Sequence, residues 1–445
     1  MATTETKRLA QPPDMQPPLS RLRDLLVRRP HRVITLLAAL YIALWVGVAL
    51  LPITVTDLDA FFLPSARLAA AGHPFEVYSI RYQHLYPNAN GPLSLIPLTL
   101  ATAIAQHAGW LDNPPLRRAV VMATFAVIIL LLAHEAVRAV ERLAGHHLNA
   151  GMRAMAYALF ALAPPIWHSV MFYGHVEQPL MLWLVLVGIR LLQEKRAAAA
   201  GILLGLALLT RTSALLDLMP MVLLLLWRGR WRAVAQLCSA TLATLAAVLL
   251  PFWLVDRDDL VYSLVTFRAE LTVAGGNVWG ALFGTPLENA AISIAQRYDS
   301  LVVLGVALAL CALVLTFRPG LDVGSRDLYG LLVLATLCFA LFIKTLWPYY
   351  FLEPYIFATI WWLGGVGVAG PRRAWWLAIA LPAGILATEL LGEVFATLSQ
   401  NGTWLASWSR WMVLAILAVS VPFAMRLISG SRWWCRLARY NASGT

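Results

Sequence analysis

Apolar runs of bilayer length recur along this chain, and mostly short polar connections separate them. The runs fall near residues 33–52, 118–133, 153–169, 179–193, 198–212, 213–227, 232–254, 301–317, 328–344, 349–367, 374–392 and 409–427. A helix of roughly 20 apolar residues crosses the hydrocarbon core of a membrane. The pattern therefore predicts an all-α, polytopic integral membrane protein with about 12 transmembrane helices. Residues 92–108, PLSLIPLTLATAIAQHA, are also apolar, but counting them as a span would invert every connection downstream. They read instead as an amphipathic or re-entrant helix on the outer surface. The stretch 198–227 holds two short spans turning at Arg211-Thr212-Ser213, with one long tilted helix as the alternative.

The polar connections supply the orientation, because cytoplasmic loops retain Lys and Arg. Every second connection is basic: Arg138, Arg142 and Arg153; Arg190, Lys195 and Arg196; Arg228, Arg230 and Arg232; Arg318 and Arg326; Arg372 and Arg373. Both chain ends are basic too, so both are placed inside. The chain then divides into a basic cytoplasmic segment over 1–32, a transmembrane module over 33–370, and C-terminal helices with a basic tail over 371–445. The first segment is Pro-rich and lacks the short apolar core and small-residue cleavage site of a secretory signal, so it reads as the mobile cytoplasmic flank of a retained anchor. Two outer connections are long, 53–117 and 255–300, and loops on a rigid scaffold are where a site would be built. No internal repeat is evident, which counts against the inverted-repeat design of secondary transporters.

Composition narrows the function. Of 445 residues, 60% are hydrophobic and 13% charged, which excludes an ordinary soluble enzyme. The net charge of +11 is a topology signal, since no basic stripe with interleaved aromatics marks a nucleic-acid surface. Cys238, Cys311, Cys338 and Cys435 form no CxxC or Cys/His cluster. Trp and Tyr at span ends act as interfacial anchors, and Gly201 and Gly205 have the small-xxx-small spacing of close helix packing. Asn401-Gly402-Thr403 is a sequon in an outer connection. His134, His146 and His147 fall on the inner side without an acyl- or phosphotransferase pattern.

The sharpest chemical feature follows the first span. Asp57 and Asp59 lie two residues apart in Thr56-Asp57-Leu58-Asp59-Ala60-Phe61-Phe62, at a membrane surface and before aromatics. Such a pair suits a general base beside a hydroxyl-orienting or metal-binding partner; the plain alternative is a solvated loop start or helix cap.

The stretch TDLDAFFLPSARLAAAGHPFEVYSIRY, continuing to LYPNANGPL, resembles the first lumenal loop of the GT-C glycosyltransferases. It is similar to that of GPI mannosyltransferase I and of bacterial polyprenyl-phosphate-mannose-dependent α-mannosyltransferases, at Thr56, Asp57, Asp59, Phe61 or Phe62, Ala66, Gly72, Pro74 and Tyr78. Phe172 to Gln178, FYGHVEQ, is similar to the family's short polar loop, with His175 where Gln is usual. The run from Gly201 to Arg232 resembles its small-residue helix and following basic residue, with Arg211 where many relatives carry Lys. Lys344 to Phe351, KTLWPYYF, resembles a late motif containing Tyr349 and Tyr350. The resemblance covers roughly residues 33–355.

That resemblance implies an inverting hexosyltransferase of the cell membrane, active on the extracytoplasmic face. It would move a sugar, mannose first, from a polyprenyl-phosphate donor to a lipid-linked or cell-envelope glycan. Asp57 corresponds to the catalytic carboxylate and Asp59 to the second member of the pair. Phosphate is a good leaving group, so one base and a few cations suffice, and single displacement inverts the anomeric centre. Cations outside the inner clusters are the phosphate candidates, because charge near the membrane interior is costly and functional. Arg211, Lys344 and Arg268 are the expected ligands, against snorkelling for Lys344 and a salt bridge to Glu270 for Arg268. His73, Arg81, His84, Tyr86, Asn88 and Asn90 crowd the first loop as possible sugar contacts, and His175, Glu177, Gln178, Tyr349 and Tyr350 share the outer face with Asp57. A divalent metal, Mg or Mn, held by Asp57, Asp59 and Glu177 is a further option. The rival reading is a transporter or flippase of lipid-linked sugars.

Overall fold

The structure is a computed structural model and describes residues 30–51, 57–82, 87–366, 373–398 and 405–442. The regular elements among them are all helical: α1 Pro30–Ala49, α2 Leu63–Ala70, α3 Ile96–His107, α4 Pro114–Ala144, α5 Ala150–Ala161, α6 Glu177–Gln193 and α7 Ala197–Thr210 come first. Then follow α8 Ala214–Trp227, α9 Trp231–Val255, α10 Glu288–Phe317, α11 Arg326–Phe342, α12 Leu352–Val366, α13 Arg373–Leu398 and α14 Leu405–Ala442, with short turns between. Among the described residues five stretches are long and apolar enough to cross a bilayer: Pro114–Ala144, Ala150–Phe172, Trp231–Val255, Glu288–Phe317 and Leu405–Ser429. This is the architecture of a helical membrane protein.

Among the described residues the apolar runs fall largely on helices, but several boundaries move, and the run 153–169 breaks after Ala161 and resumes at Pro164. Asn113 caps α4 by accepting the Leu116 amide at 3.3 Å, and the helix continues to Ala144, so Arg138 and Arg142 ride on it rather than on a connection. Glu288 opens α10, where an acidic residue complements the helix dipole. The second long loop therefore ends at 287 and not at 300. Residues 92–108 form a 3-10 turn, Pro92–Leu95, and then the short α3, packed on α2 and α4.

The stretch 198–227 is two helices broken at Arg211 to Ser213. Neighbouring packing shows that the chain reverses there. A Cβ on Gly201 would meet Leu237 O at 2.4 Å, and one on Gly205 would meet Thr244 Cβ at 2.8 Å. Contacts thus advance together along both helices, so α7 and α9 run parallel, as they must if α8 returns between them. Thr241 fixes the register by donating to Gly201 O at 3.0 Å. Each of the two 14-residue helices spans only about 21 Å, less than the ~30 Å hydrocarbon core.

The bundle has two chemically different ends. At one, Glu135 receives Arg142 at 3.1 Å and Arg190 at 3.0 Å, Arg230 meets Asp322 at 3.0 Å, and Arg318 meets Asp327 at 2.7 Å. The opposite helix ends carry Asp57, His175, Arg211 and Glu353. There α14 braces the second loop: Gly276 N donates to Ser409 Oγ at 2.9 Å, and Arg410 holds Ala281 O and Phe283 O.

Candidate active site

Two π-helical turns deliver the central pair. One, Leu58–Phe62, follows Asp57 directly; the other, Trp167–Phe172, precedes Tyr173-Gly174-His175. Such turns are rare and concentrate at functional positions. Trp45 of α1 stacks on Trp167 at 4.6 Å, which ties the two segments together just behind the site. Gly174 takes φ +78°, open to glycine without a Cβ penalty, and this lets the chain turn His175 inward.

His175 bridges two carboxylates. Its Nε2 lies 3.0 Å from Asp57 Oδ2, and its Nδ1 bonds Glu177 Oε1. With an acceptor on both sides the ring needs both protons, which is the imidazolium. Burial works against that charge, but Glu177 and the hydrogen bonds to Asp57 and Glu177 outweigh it, so the His175 pKa is raised. Asp57 keeps 26% of its side chain exposed, whereas Glu177 keeps 1%. The one carboxylate of the cluster open to a substrate is thus the predicted base.

Arg211 stands behind them, in the break between α7 and α8. Its Nη1 donates to Glu177 Oε1 at 3.0 Å, and its Nε lies 3.7 Å from Glu353 Oε1. Gln178, with its amide oriented to satisfy both ends, accepts from both Arg211 terminal nitrogens at 3.2 Å and donates to Tyr349 O. Tyr349 packs on His175 with ring centroids 4.2 Å apart, and Tyr350 lies under the Arg211 guanidinium at 5.1 Å. Residues His175, Glu177, Gln178, Arg211, Tyr349 and Tyr350 are therefore one constellation around Asp57.

The other expected residues are placed differently. Arg268 does not pair with Glu270, which accepts the Tyr262 hydroxyl at 3.0 Å. Instead Arg268 clamps the loops: Nε and Nη2 donate to Ala89 O, Nη2 to Asn90 Oδ1, and Nη1 to Thr212 Oγ1 at 2.8 Å. Its three nitrogens all hold protein oxygens, so it ties the first loop to the turn between α7 and α8. Asn88 is fully buried and its Oδ1 accepts the Asn90 amide at 3.1 Å, which shapes the loop. Lys344 donates from Nζ to Ala269 O at 3.1 Å. His73 pairs with Glu76 at 3.1 Å on the surface, outside the constellation. Tyr86, His84, Thr56, the Arg81 side chain and the sequon lie outside the described residues.

The first loop docks on the break itself. A Cβ on Gly91 would fall 2.0 Å from Leu209 O, so only glycine lets this backbone lie against the end of α7. Tyr78 Oη donates to Asn90 O at 3.0 Å and Ser65 Oγ to Val77 O at 2.8 Å, holding α2 and the loop as one unit.

The expected metal donors do not converge. Asp57 pairs with His175, while Asp59 lies 3.7 Å from Arg117. Among the described residues no three His, Cys, Asp or Glu side chains form a metal-holding group. Sequence reasoning missed Glu353 and Ser213, whose hydroxyl donates to Glu353 Oε1 at 2.8 Å. A lone acid inside LEPYIFATIWWL was the available signal. No protein-family model matches the chain, and no curated protein is significantly similar to it.

Proposed function

We propose that this protein is an inverting glycosyltransferase that uses a polyprenyl-phosphate sugar, mannose first, and acts at the extracytoplasmic surface of the cell membrane. The twelve-crossing topology read from the sequence puts Asp57, His175, Arg211 and Tyr349 on that surface and the arginine-rich end in the cytoplasm. The observation that carries the reading is the Asp57 carboxylate, partly exposed and fixed at 3.0 Å by a buried histidine. A carboxylate so held can accept a proton without first having to be oriented.

In the proposed step the acceptor hydroxyl attacks the anomeric carbon, its proton passes to Asp57, and the carbon–oxygen bond to the phosphate breaks. The electron pair leaves on the polyprenyl phosphate, and attack from the opposite face inverts the centre. His175 holds Asp57 in line, and Arg211 and Lys344 supply positive charge on the donor side. The acceptor is a lipid-linked or envelope glycan.

The test is the purified protein incubated with a panel of polyprenyl-phosphate sugars and glycan acceptors, followed by mass spectrometry. Transfer with release of free polyprenyl phosphate is expected. Movement of the intact lipid-linked sugar across vesicles without that release would support a flippase instead.

A further inference from the structure

Asp217 lies in the first turn of α8 with its side chain fully buried. Neither of its carboxyl oxygens has a hydrogen-bond partner among the described residues. One helical turn earlier, Ser213 donates to Glu353 Oε1 at 2.8 Å. Residues four apart share a helix face, so Asp217 is on the face turned to Glu353, which is its charged neighbour.

Among the described residues no cation balances both acids. Towards α10 and α11, Leu216 packs among Val303, Ala307, Ala335 and Cys338. Towards α6 lie Met181, whose sulfur is 3.4 Å from Ser213 Oγ, and Glu177, which takes Arg211 at 3.0 Å. His175 is divided between Asp57 and Glu177. Arg211 reaches Glu353 only at 3.7 Å. Two cations thus face four carboxyl groups. An ionised carboxylate buried without a partner is very costly, and a second one beside it more so. Hard metal cations take six or more oxygen ligands, and here two carboxyls and one hydroxyl already donating fall short of that.

We propose that Asp217 and Glu353 form a proton-binding site beneath Arg211 that holds at least one proton in the resting protein. The assignment stands on burial and partner geometry, independently of the reaction at Asp57. Its consequence runs through Arg211. With the proton in place, Glu177 is the main carboxylate set against that guanidinium; with the proton lost, Glu353 becomes a second. Proton occupancy therefore tunes how strongly Arg211 attracts an anion, and by linkage an anion there changes proton affinity.

Infrared spectroscopy on the full-length protein, labelled at the Asp and Glu carboxyl carbons, tests this. The wild type at neutral pH should show a protonated-carboxyl band that shifts in heavy water and disappears as pH is raised. Asp217→Asn or Glu353→Gln should remove or displace it. A folded wild type without such a band, or with one that both substitutions leave unchanged, overturns the proposal. Melting temperature in sodium against choline buffer gives a second readout, expected to be equal for the wild type. A wild-type loss of melting temperature on removing sodium, absent in Asp217→Asn, would assign a metal cation and overturn it too. Should one substitution prevent folding, the pH-dependent band of the wild type and the other variant still decide.

Discussion

Both ends of the bundle bury carboxylates against arginine, yet they are built on opposite ratios. At the basic end Glu135 is met by Arg142, Arg190 and, at 4.0 Å, Arg138, and those arginines stay partly in solvent. At the other end Arg211 is met by Glu177 and Glu353, and every member of that trio is buried. The first arrangement is a fastener: it ties α4 to α6, and losing one cation leaves others. The second has no spare cation, so each group there is needed by its neighbours. Redundancy marks the structural end, and shortage of countercharge marks the end proposed to do chemistry.

Substitutions can break or sharpen that contrast. The largest effect is expected from Asp57→Asn, which should cut turnover by about 10²- to 10⁴-fold, the usual worth of a general base, while donor binding and melting temperature persist. A variant retaining most activity would remove Asp57 from the chemistry. Next, Arg211→Met leaves Glu353 without its cation and Glu177 with His175 alone, and should cost roughly 3–5 kcal/mol of stability. Denaturation in detergent measures it.

A smaller effect concerns pH. His175 has a raised pKa, so its imidazolium contributes fully below about 6.5, the ordinary imidazole value, and that contribution is lost as pH rises through the raised value. Asp57 and Glu177 favour its charge and Arg211 opposes it. The melting-temperature gap between wild type and His175→Gln should therefore be widest in mild acid and shrink in alkali. A constant gap would mean that His175 serves only by shape. The smallest effect is expected at the other end, where Arg142→Met should cost about 1 kcal/mol or less because Arg190 still holds Glu135. Equal costs for Arg142 and Arg211 would erase the distinction between the ends.

Parts of this organisation are legible in the sequence alone. Helices follow from apolar runs because a bilayer imposes them, and the charged connections sort the two ends. Asp57, His175, Glu177 and Gln178 were readable because they sit where apolar runs stop, and polar residues stand out at such boundaries. The pair of Arg268 with Glu270, the alternative to a phosphate role, does not form for a local reason: Glu270 is its neighbour at i+2, and residues two apart on a helix do not face each other. Its true partners are far away in sequence, at Ala89, Asn90 and Thr212. Glu353 and Asp217 were passed over because each is a single acid diluted in an apolar run, so hydropathy averages them away although their isolation was itself the clue.

The π turns at Leu58–Phe62 and Trp167–Phe172 have a consequence for how such a site can change over time. Each holds an extra residue relative to α-helical winding. Deleting one residue from either would let the helix rewind as an ordinary α-helix and rotate what lies beyond it by about 100°. Asp57 and His175 would then no longer meet, although no functional side chain had been altered. Chain length in these two turns is therefore part of the site's specification, and insertions or deletions there disturb it as surely as substitutions at Asp57 itself.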